Sequence, residues 1–197
     1  MIIEKLGRNE YGNDYNHTEK RDGTHYWIGK DLFDNVIAVQ TLPNIYKAWS
    51  CGTGLYGTLN NGWIQINLCE DNLDDVFYFQ RVYEEACQLT AYLCDCYKID
   101  PIGITYYKDL GLVKAIEVPT ILCHQDAADL GLATNRVDVY HWFSKYGITM
   151  DDARKRISKL TKPLSYNLNA VDGTSYLFLI PEEPKEEIEE KIEDKEG

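Results

Sequence analysis

The chain has 197 residues, of which 44% are hydrophobic, enough apolar material for one compact domain of ordinary size with short appendages. Its formal net charge is −12, and residues 182–197 carry half of that charge, with nine acidic residues against three lysines. The remaining body is also acidic. It has no surplus of positive charge to neutralise phosphates, which argues against nucleic acid or an anionic membrane as a partner.

The cysteines and the apolar pattern indicate a protein that is cytoplasmic when it is made. The six cysteines show no paired C-x-x-C spacing of the kind that structural zinc sites use, so we expect reduced, buried thiols. The first residues, MIIE, lack a basic segment followed by an apolar stretch, so no signal peptide is expected. No apolar run reaches the roughly 20 residues that a membrane-spanning helix needs.

The first third of the chain predicts an irregular segment followed by three strands. Residues 1–23 are polar and have no sustained apolar period, which is typical of an irregular lead-in. Short β-prone runs follow at 24–28, 36–42 and 63–69, separated by turn residues. We therefore expect three strands of one sheet.

The next segments predict helices that alternate with a strand. Asp74 and Asp75 open a segment with apolar residues at helical spacing, and Pro101 ends it, so a helix of about six turns is expected. We expect a loop over 103–111 and one buried strand over 118–123. Residues 150–160 predict a short helix, because acidic residues occupy its first turn and basic residues follow.

The domain is expected to span residues 24–162, and two appendages follow it. Residues 163–181 form a C-terminal extension in which 164–180 predict a strand or a hairpin. The acidic tail, 182–197, is expected to be disordered, with a solvated helix as the alternative.

One stretch carries a family resemblance. Residues 123–147, CHQDAADLGLATNRVDVYHWFSKYG, resemble the C-terminal signature of phage and prophage N-acetylmuramoyl-L-alanine amidases, in which a strand ending in Cys-His precedes Asp-Val, His-Trp-Phe and Lys-x-Gly. A second match upstream contains VQTLP at 39–43, Ala48-Trp49, Cys51-Gly52, Asn60-Asn61 and a strand that ends in Cys-Glu-Asp at 69–71. The resemblance covers roughly residues 23–160.

The resemblance implies a fold, a reaction and a cofactor. The fold would be α/β, with a central mixed β-sheet flanked by α-helices, as in the peptidoglycan recognition proteins. The reaction would be hydrolysis of the amide between N-acetylmuramic acid and L-alanine in bacterial peptidoglycan, by an endolysin-like enzyme that acts at the cell wall after release. A zinc ion with an open coordination position would supply the nucleophilic water and stabilise the oxyanion.

The resemblance also assigns roles to particular residues. His124 matches the second histidine ligand of the family, and Asp138 matches its carboxylate ligand. Arg136 matches a basic residue near the scissile carbonyl and is predicted to stabilise the oxyanion. His141, in the His-Trp-Phe element, is expected to support the loop and contact substrate rather than to bind metal. Two further residues in matched motifs, Trp49 and Asn61, are predicted to contact substrate.

Three positions depart from the family pattern. The first zinc histidine of the family lies on an opening strand that precedes the irregular segment, and we expect that strand and its ligand to be missing. His25 aligns with a different histidine and is the candidate for the third ligand. Asn67 stands at a catalytic position that holds glutamate in the family, and Ser50 stands where a histidine follows Ala-Trp. Neither Ser nor Asn acts as a general base at neutral pH. The alternative is therefore an inactive module that binds peptidoglycan or a protein partner.

Overall fold

The computed structural model describes residues 23–109 and 112–161 in full, together with the backbone course of strands at 2–6, 167–171 and 174–178. The strands are β1 (Ile2–Leu6), β2 (Tyr26–Lys30), β3 (Val36–Gln40), β4 (Gln65–Cys69), β5 (Ile104–Tyr107), β6 (Ile116–Pro119), β7 (Leu122–Cys123), β8 (Asn167–Val171) and β9 (Thr174–Phe178). The helices are α1 (Val76–Tyr97), α2 (His124–Asp129), α3 (Tyr140–Phe143), a 3₁₀ turn (Ser144–Tyr146) and α4 (Met150–Leu160).

Seven strands form the main sheet, in the order β7-β1-β4-β2-β3-β9-β8. Strands β7, β1, β4 and β2 are mutually parallel, whereas β3, β9 and β8 pair antiparallel with their neighbours. Strands β5 and β6 form a separate two-stranded sheet. The prediction of a mixed sheet flanked by helices is confirmed.

The prediction for the opening of the chain is wrong. An irregular lead-in over residues 1–23 and no opening strand are expected from the sequence, but Ile2–Leu6 form β1 between β4 and β7. The run IIEKL is too short to show a strand period, and hydrogen bonding to two neighbouring strands decides its conformation. The rest of the predicted lead-in lies outside the described residues, apart from Gly23, which precedes β2.

Helix α1 forms where its sequence predicts it. The side chain of Asp75 accepts hydrogen bonds from the backbone N–H groups of Phe77 and Tyr78, which caps the helix. Lys98 ends the helix in a left-handed conformation, three residues before Pro101. The buried face of α1 packs on the sheet, against Tyr26, Ile28, Ala38, Ile66 and Leu68.

The region after α1 differs from the prediction at two places. The expected loop at 103–111 contains β5, and the expected single strand at 118–123 is divided into β6 and β7, which belong to different sheets. The break falls at Thr120, whose backbone N–H and hydroxyl donate hydrogen bonds to the carbonyl oxygen of Gly103. Apolar character continues through this break because buried residues lie on both sides of it, so the sequence pattern does not reveal it.

The predicted C-terminal helix is confirmed as α4. The hydroxyl of Thr149 accepts a hydrogen bond from the backbone N–H of Asp152, and the Asp152 carboxylate accepts one from the backbone N–H of Thr149. Three apolar side chains of α4 are buried in the main core, those of Met150, Ala153 and Ile157.

The C-terminal extension adds a hairpin, which is one of its two predicted forms. Strand β9 pairs with β3 and with β8, so the hairpin extends the main sheet. The acidic tail at 182–197 lies outside the described residues, and its predicted disorder stays a prediction. Among the residues that the structure describes, no helix is both long enough and apolar enough to cross a bilayer. All six cysteines lie in described segments and none forms a disulfide; five are buried, and Cys96 is exposed, contrary to expectation.

The cap of α1 generates a stability prediction. Replacing Asp75 by Ala removes an acceptor that serves two backbone N–H groups, so we expect the free energy of unfolding to fall by about 1 kcal/mol in urea titrations. Asp74→Ala is the matched control, because the side chain of Asp74 forms an exposed ion pair with Lys145 and should contribute much less to stability. Equal losses in the two variants would contradict the assignment of the cap.

Candidate active site

His124 lies immediately after a short strand of the parallel part of the sheet. Strand β7 ends at Cys123, which is in register with Ile3 of β1, and His124 begins α2. Its side chain is 1% exposed. The position therefore combines a defined backbone register with a nearly solvent-free imidazole.

The ring of His124 is oriented by the loop that follows α2. Its Nε2 donates to the backbone carbonyl of Thr134 at 2.9 Å, which places the proton on Nε2 and leaves Nδ1 as the basic nitrogen. Thr134 is in turn held by Cys51, whose carbonyl accepts from the backbone N–H of Thr134 at 3.0 Å. A hydrogen bond of this kind, on the nitrogen opposite the ligating one, is how metal-binding histidines are usually fixed.

Asp138 lies beside the basic nitrogen of His124. Its Oδ2 is 3.8 Å from Nδ1 of His124, and the residue is 7% exposed. The backbone N–H of Gln125 donates to the carbonyl oxygen of Asp138 at 3.0 Å, which ties the start of α2 to the Asp138 segment. The structure thus brings together the two residues predicted as the second histidine and the carboxylate ligand.

The pair fits two positions of a zinc site. A zinc ion about 2.1 Å from each of two ligand atoms, at a tetrahedral angle, separates those atoms by roughly 3.4 Å, close to the observed spacing. Burial is the main cause that lowers the pKa of His124 below its usual value of 6.5; the Asp138 carboxylate opposes this shift, and Arg136 adds to it. The neutral imidazole is the form that binds metal.

The described part of the chain adds no third metal-ligating side chain to this pair. No cluster of three or more His, Cys, Asp or Glu side chains within it has a geometry that could hold a metal ion. His25, the predicted third ligand, is not grouped with His124 and Asp138. The described residues therefore supply two ligand positions.

The prediction that His25 binds metal is corrected by its hydrogen bonds. Its Nδ1 accepts from the backbone N–H of Gln65 at 3.0 Å, and its Nε2 donates to the carbonyl of Tyr46 at 3.0 Å. Both ring nitrogens are thus occupied by backbone groups. His25 joins the loop at 41–46 to the start of β4, which is a structural role.

The two predicted catalytic residues occupy different environments. Arg136 is exposed, two residues before Asp138, and its charge contributes to lowering the pKa of His124. Asn67 is 2% exposed in β4, and its Oδ1 has no hydrogen-bond partner among the residues that the structure describes. Their catalytic roles stay predictions.

The predicted substrate contacts are spread over the molecule. Trp49 is 54% exposed, and Nζ of Lys47 lies 4.0 Å from the centroid of its ring. Asn61 lines a pocket of about 500 Å³ between the 44–47 loop, the 61–64 segment and β5. His124, Asp138 and Arg136 do not line that pocket, so the structure does not join Asn61 to the candidate site through it.

His141 forms a pair that no sequence pattern indicates. Its Nε2 lies 2.5 Å from Oε1 of Glu70, which is buried just after β4. This contact fixes α3 on the carboxyl end of β4 and supports the expectation that His141 stabilises its loop. The two residues lie 71 positions apart in the chain, and no local motif joins them.

A buried polar network holds the loop between β3 and β4, and it too has no signature in the sequence. Oε1 of Gln65 accepts from the backbone N–H and the hydroxyl of Ser50, and Nε2 of Gln65 donates to Oδ1 of Asn60. The same Asn60 oxygen accepts from the backbone N–H of Cys51. Ser50, which stands where the resemblance implies a histidine, therefore has a structural role, and through Cys51 and Thr134 the network reaches His124.

The buried histidines predict a pH dependence of stability. Burial lowers the pKa of both His25 and His124 in the folded state, so the unfolded chain binds protons more readily. Above the unfolded pKa near 6.5 both histidines are neutral in the folded and the unfolded chain, and the free energy of unfolding has its full value. Below that pH the unfolded chain binds protons first, and the free energy of unfolding falls. Urea titrations from about pH 7.5 to about pH 5.5 should show decreasing stability, with a shallower slope in a His25→Gln, His124→Gln double variant. An unchanged slope would contradict the assignment.

The pair of Glu70 and His141 predicts an energetic coupling. His141→Ala removes a hydrogen bond to a buried carboxylate and should lower the free energy of unfolding by about 2 kcal/mol. The same substitution in a Glu70→Gln background should cost clearly less, because the charged partner is already gone. Additive losses in this double-mutant cycle, measured by urea unfolding, would show that the two side chains do not interact.

Comparisons with known proteins agree with this architecture. The structure is similar to that of the Staphylococcus aureus hydrolase AmiA in complex with its ligand, with a TM-score of 0.60 and 14% sequence identity over 82% of this chain and 71% of that chain. At this identity the similarity establishes the fold. A comparison with curated protein sequences finds no match. A family model described as N-acetylmuramoyl-L-alanine amidase matches residues 4–138, more than half of the chain, and the chain therefore belongs to that amidase family.

Proposed function

We propose that the protein is a zinc-dependent peptidoglycan amidase that hydrolyses the amide between N-acetylmuramic acid and L-alanine, in the manner of a phage endolysin acting on the cell wall after release. Membership of the amidase family supports the reaction class. The observation that carries the proposal is the buried pair of His124 and Asp138, with Nδ1 and Oδ2 3.8 Å apart.

The two residues have the properties that metal ligands require. His124 is kept neutral by burial, which lowers its pKa, and the Thr134 carbonyl holds its Nε2 proton so that Nδ1 is the basic nitrogen. Asp138 contributes a carboxylate oxygen in the same nearly dry environment. A zinc ion bound there would lower the pKa of a water ligand and polarise the scissile carbonyl.

We expect neither Arg136 nor Asn67 to transfer protons. Arg136 is exposed two residues before Asp138, and its positive charge would stabilise an oxyanion there. Asn67 offers an amide that can form hydrogen bonds but cannot accept a proton at neutral pH. We therefore expect slower turnover than in an enzyme with a carboxylate at this position.

Removal of the proposed ligands is the direct test. His124→Ala and Asp138→Asn should each abolish the release of soluble peptide from purified peptidoglycan and the binding of one zinc per chain, measured by elemental analysis. Asp129→Asn is the control, because Asp129 is exposed at the end of α2 and should leave both readouts unchanged. A folded wild-type protein that binds zinc but releases no peptide would overturn the proposed activity.

A second candidate function is supported by the residues that replace catalytic ones. The hydroxyl and the backbone N–H of Ser50 are both hydrogen-bonded to Gln65, and Asn67 cannot act as a base. A domain that binds peptidoglycan or a protein partner without cleaving it is therefore consistent with the site. Such a domain should sediment with insoluble cell walls yet release no peptide. Protein left wholly in the supernatant would exclude binding to the wall.

A further inference from the structure

A pocket lies at the amino ends of the parallel strands, away from the pair of His124 and Asp138. Its volume is about 500 Å³, within the usual range for sites that bind small organic ligands. The 61–64 segment, which leads into β4, and Thr120, which precedes β7, both line it. His124 instead follows the carboxyl end of β7. The pocket and the candidate metal site therefore lie at opposite ends of the same strands.

Aromatic rings form much of the pocket wall. Five of the described lining residues are aromatic: Tyr46, Trp63, Tyr97, Tyr106 and Tyr107. The side chains of Tyr106 and Tyr97 are 67% and 51% exposed, so their rings are open to a ligand. The face of an aromatic ring carries partial negative charge, and it attracts the weakly positive C–H groups on the face of a sugar ring. The wall is therefore suited to pack against a saccharide.

Some polar groups of the pocket hold its walls together, and others are available to a ligand. Nδ2 of Asn44 donates to the hydroxyl of Tyr97 at 3.1 Å and to that of Tyr26 at 3.0 Å, which joins the loop after β3 to the end of α1. The side chains of Asn61 and Trp63 form no hydrogen bond with any described residue. An amide and an indole N–H can therefore bind hydroxyl or acetamido groups.

The charge of the lining favours a neutral ligand. Among the described residues that line the pocket, Lys47 is the only charged one. Its Nζ lies 4.0 Å from the centroid of the ring of Trp49, which is not part of the lining, so its charge is directed to that ring. The chain as a whole has a net charge of −12, which opposes the approach of phosphates and acidic peptides. A saccharide without charged groups meets neither obstacle.

We propose that this pocket binds a neutral saccharide of about two rings, at a site separate from the metal pair. The aromatic faces pack against the sugar rings, and Asn61 and Trp63 bind their hydroxyl or acetamido groups. That the saccharide is the glycan chain of peptidoglycan rests on the proposed function. Thr120 and His124 are four residues apart, a span of at most about 14 Å, so a glycan held in the pocket lies close to the site that acts on its peptide.

Calorimetric titration with tri-N-acetylchitotriose tests the pocket separately from hydrolysis, because this probe has no peptide for an amidase to release. Tyr106→Ala removes an exposed ring, Tyr106→Phe keeps the ring, and Asn61→Ala removes the free amide. Phe33→Ala is the matched control, because Phe33 is 84% exposed in the turn between β2 and β3 and does not line the pocket. Circular dichroism and urea titration establish that each variant is folded.

The wild type should bind the trimer, and Tyr106→Ala and Asn61→Ala should each weaken binding about tenfold. Tyr106→Phe, Phe33→Ala and His124→Ala should bind as the wild type does. A folded wild type that does not bind the trimer would overturn the inference. Binding that is lost in His124→Ala and unchanged in Tyr106→Ala would also overturn it, because the sugar would then lie at the metal pair. Trimer binding by a wild type that releases no peptide from peptidoglycan would support the pocket and count only against the proposed function.

Discussion

The parallel pairing of β1 between β4 and β7 is the constraint on which the candidate site depends. Strand β7 has only two residues, and its register with β1 fixes where the chain turns into α2 and therefore where His124 lies. The register of β1 with β4 fixes which residue of β4 lies beside each residue of β1. A shift of one residue in the register would move every side chain of the shifted strand to the other face of the sheet.

A second constraint is the hydrogen-bonded path from Gln65 to His124. Gln65 holds the loop through Ser50 and Asn60, Asn60 holds Cys51, and Cys51 holds Thr134, whose carbonyl orients the imidazole. The contacts of Asn60 with Gln65 and with Cys51 are buried, so breaking either one leaves an unsatisfied group that costs about 1–3 kcal/mol. The neutral state and the fixed tautomer of His124 follow from this buried framework rather than from the residue itself.

The polar replacements at the site also have a structural explanation. Oε1 of Gln65 accepts hydrogen bonds from both the backbone N–H and the hydroxyl of Ser50, which ties the loop to β4. Asn67 is uncharged and nearly fully buried, and its amide cannot accept a proton at neutral pH. Hydrolysis and binding without cleavage are therefore both consistent with the residues of the site.

Local signals in the sequence are enough to predict part of this protein, and contacts between distant residues account for the rest. Helix α1 is predictable from its apolar period, its Asp75 cap and Pro101, because capping and periodicity act within a few residues. The order of motifs from 39 to 147 indicates the amidase family, which the family model confirms, because a motif records residue type and spacing directly. The same motifs predict His124 and Asp138 as site residues. By contrast, the folded chain is needed to show that Ile2–Leu6 is an interior strand and that β6 and β7 belong to different sheets. It is also needed to show that backbone groups occupy both ring nitrogens of His25 and that Glu70 pairs with His141. None of these features has a local signature, because strand pairing and side-chain contacts depend on which backbone groups the neighbouring strands leave to be satisfied, and that is settled when the whole sheet has formed.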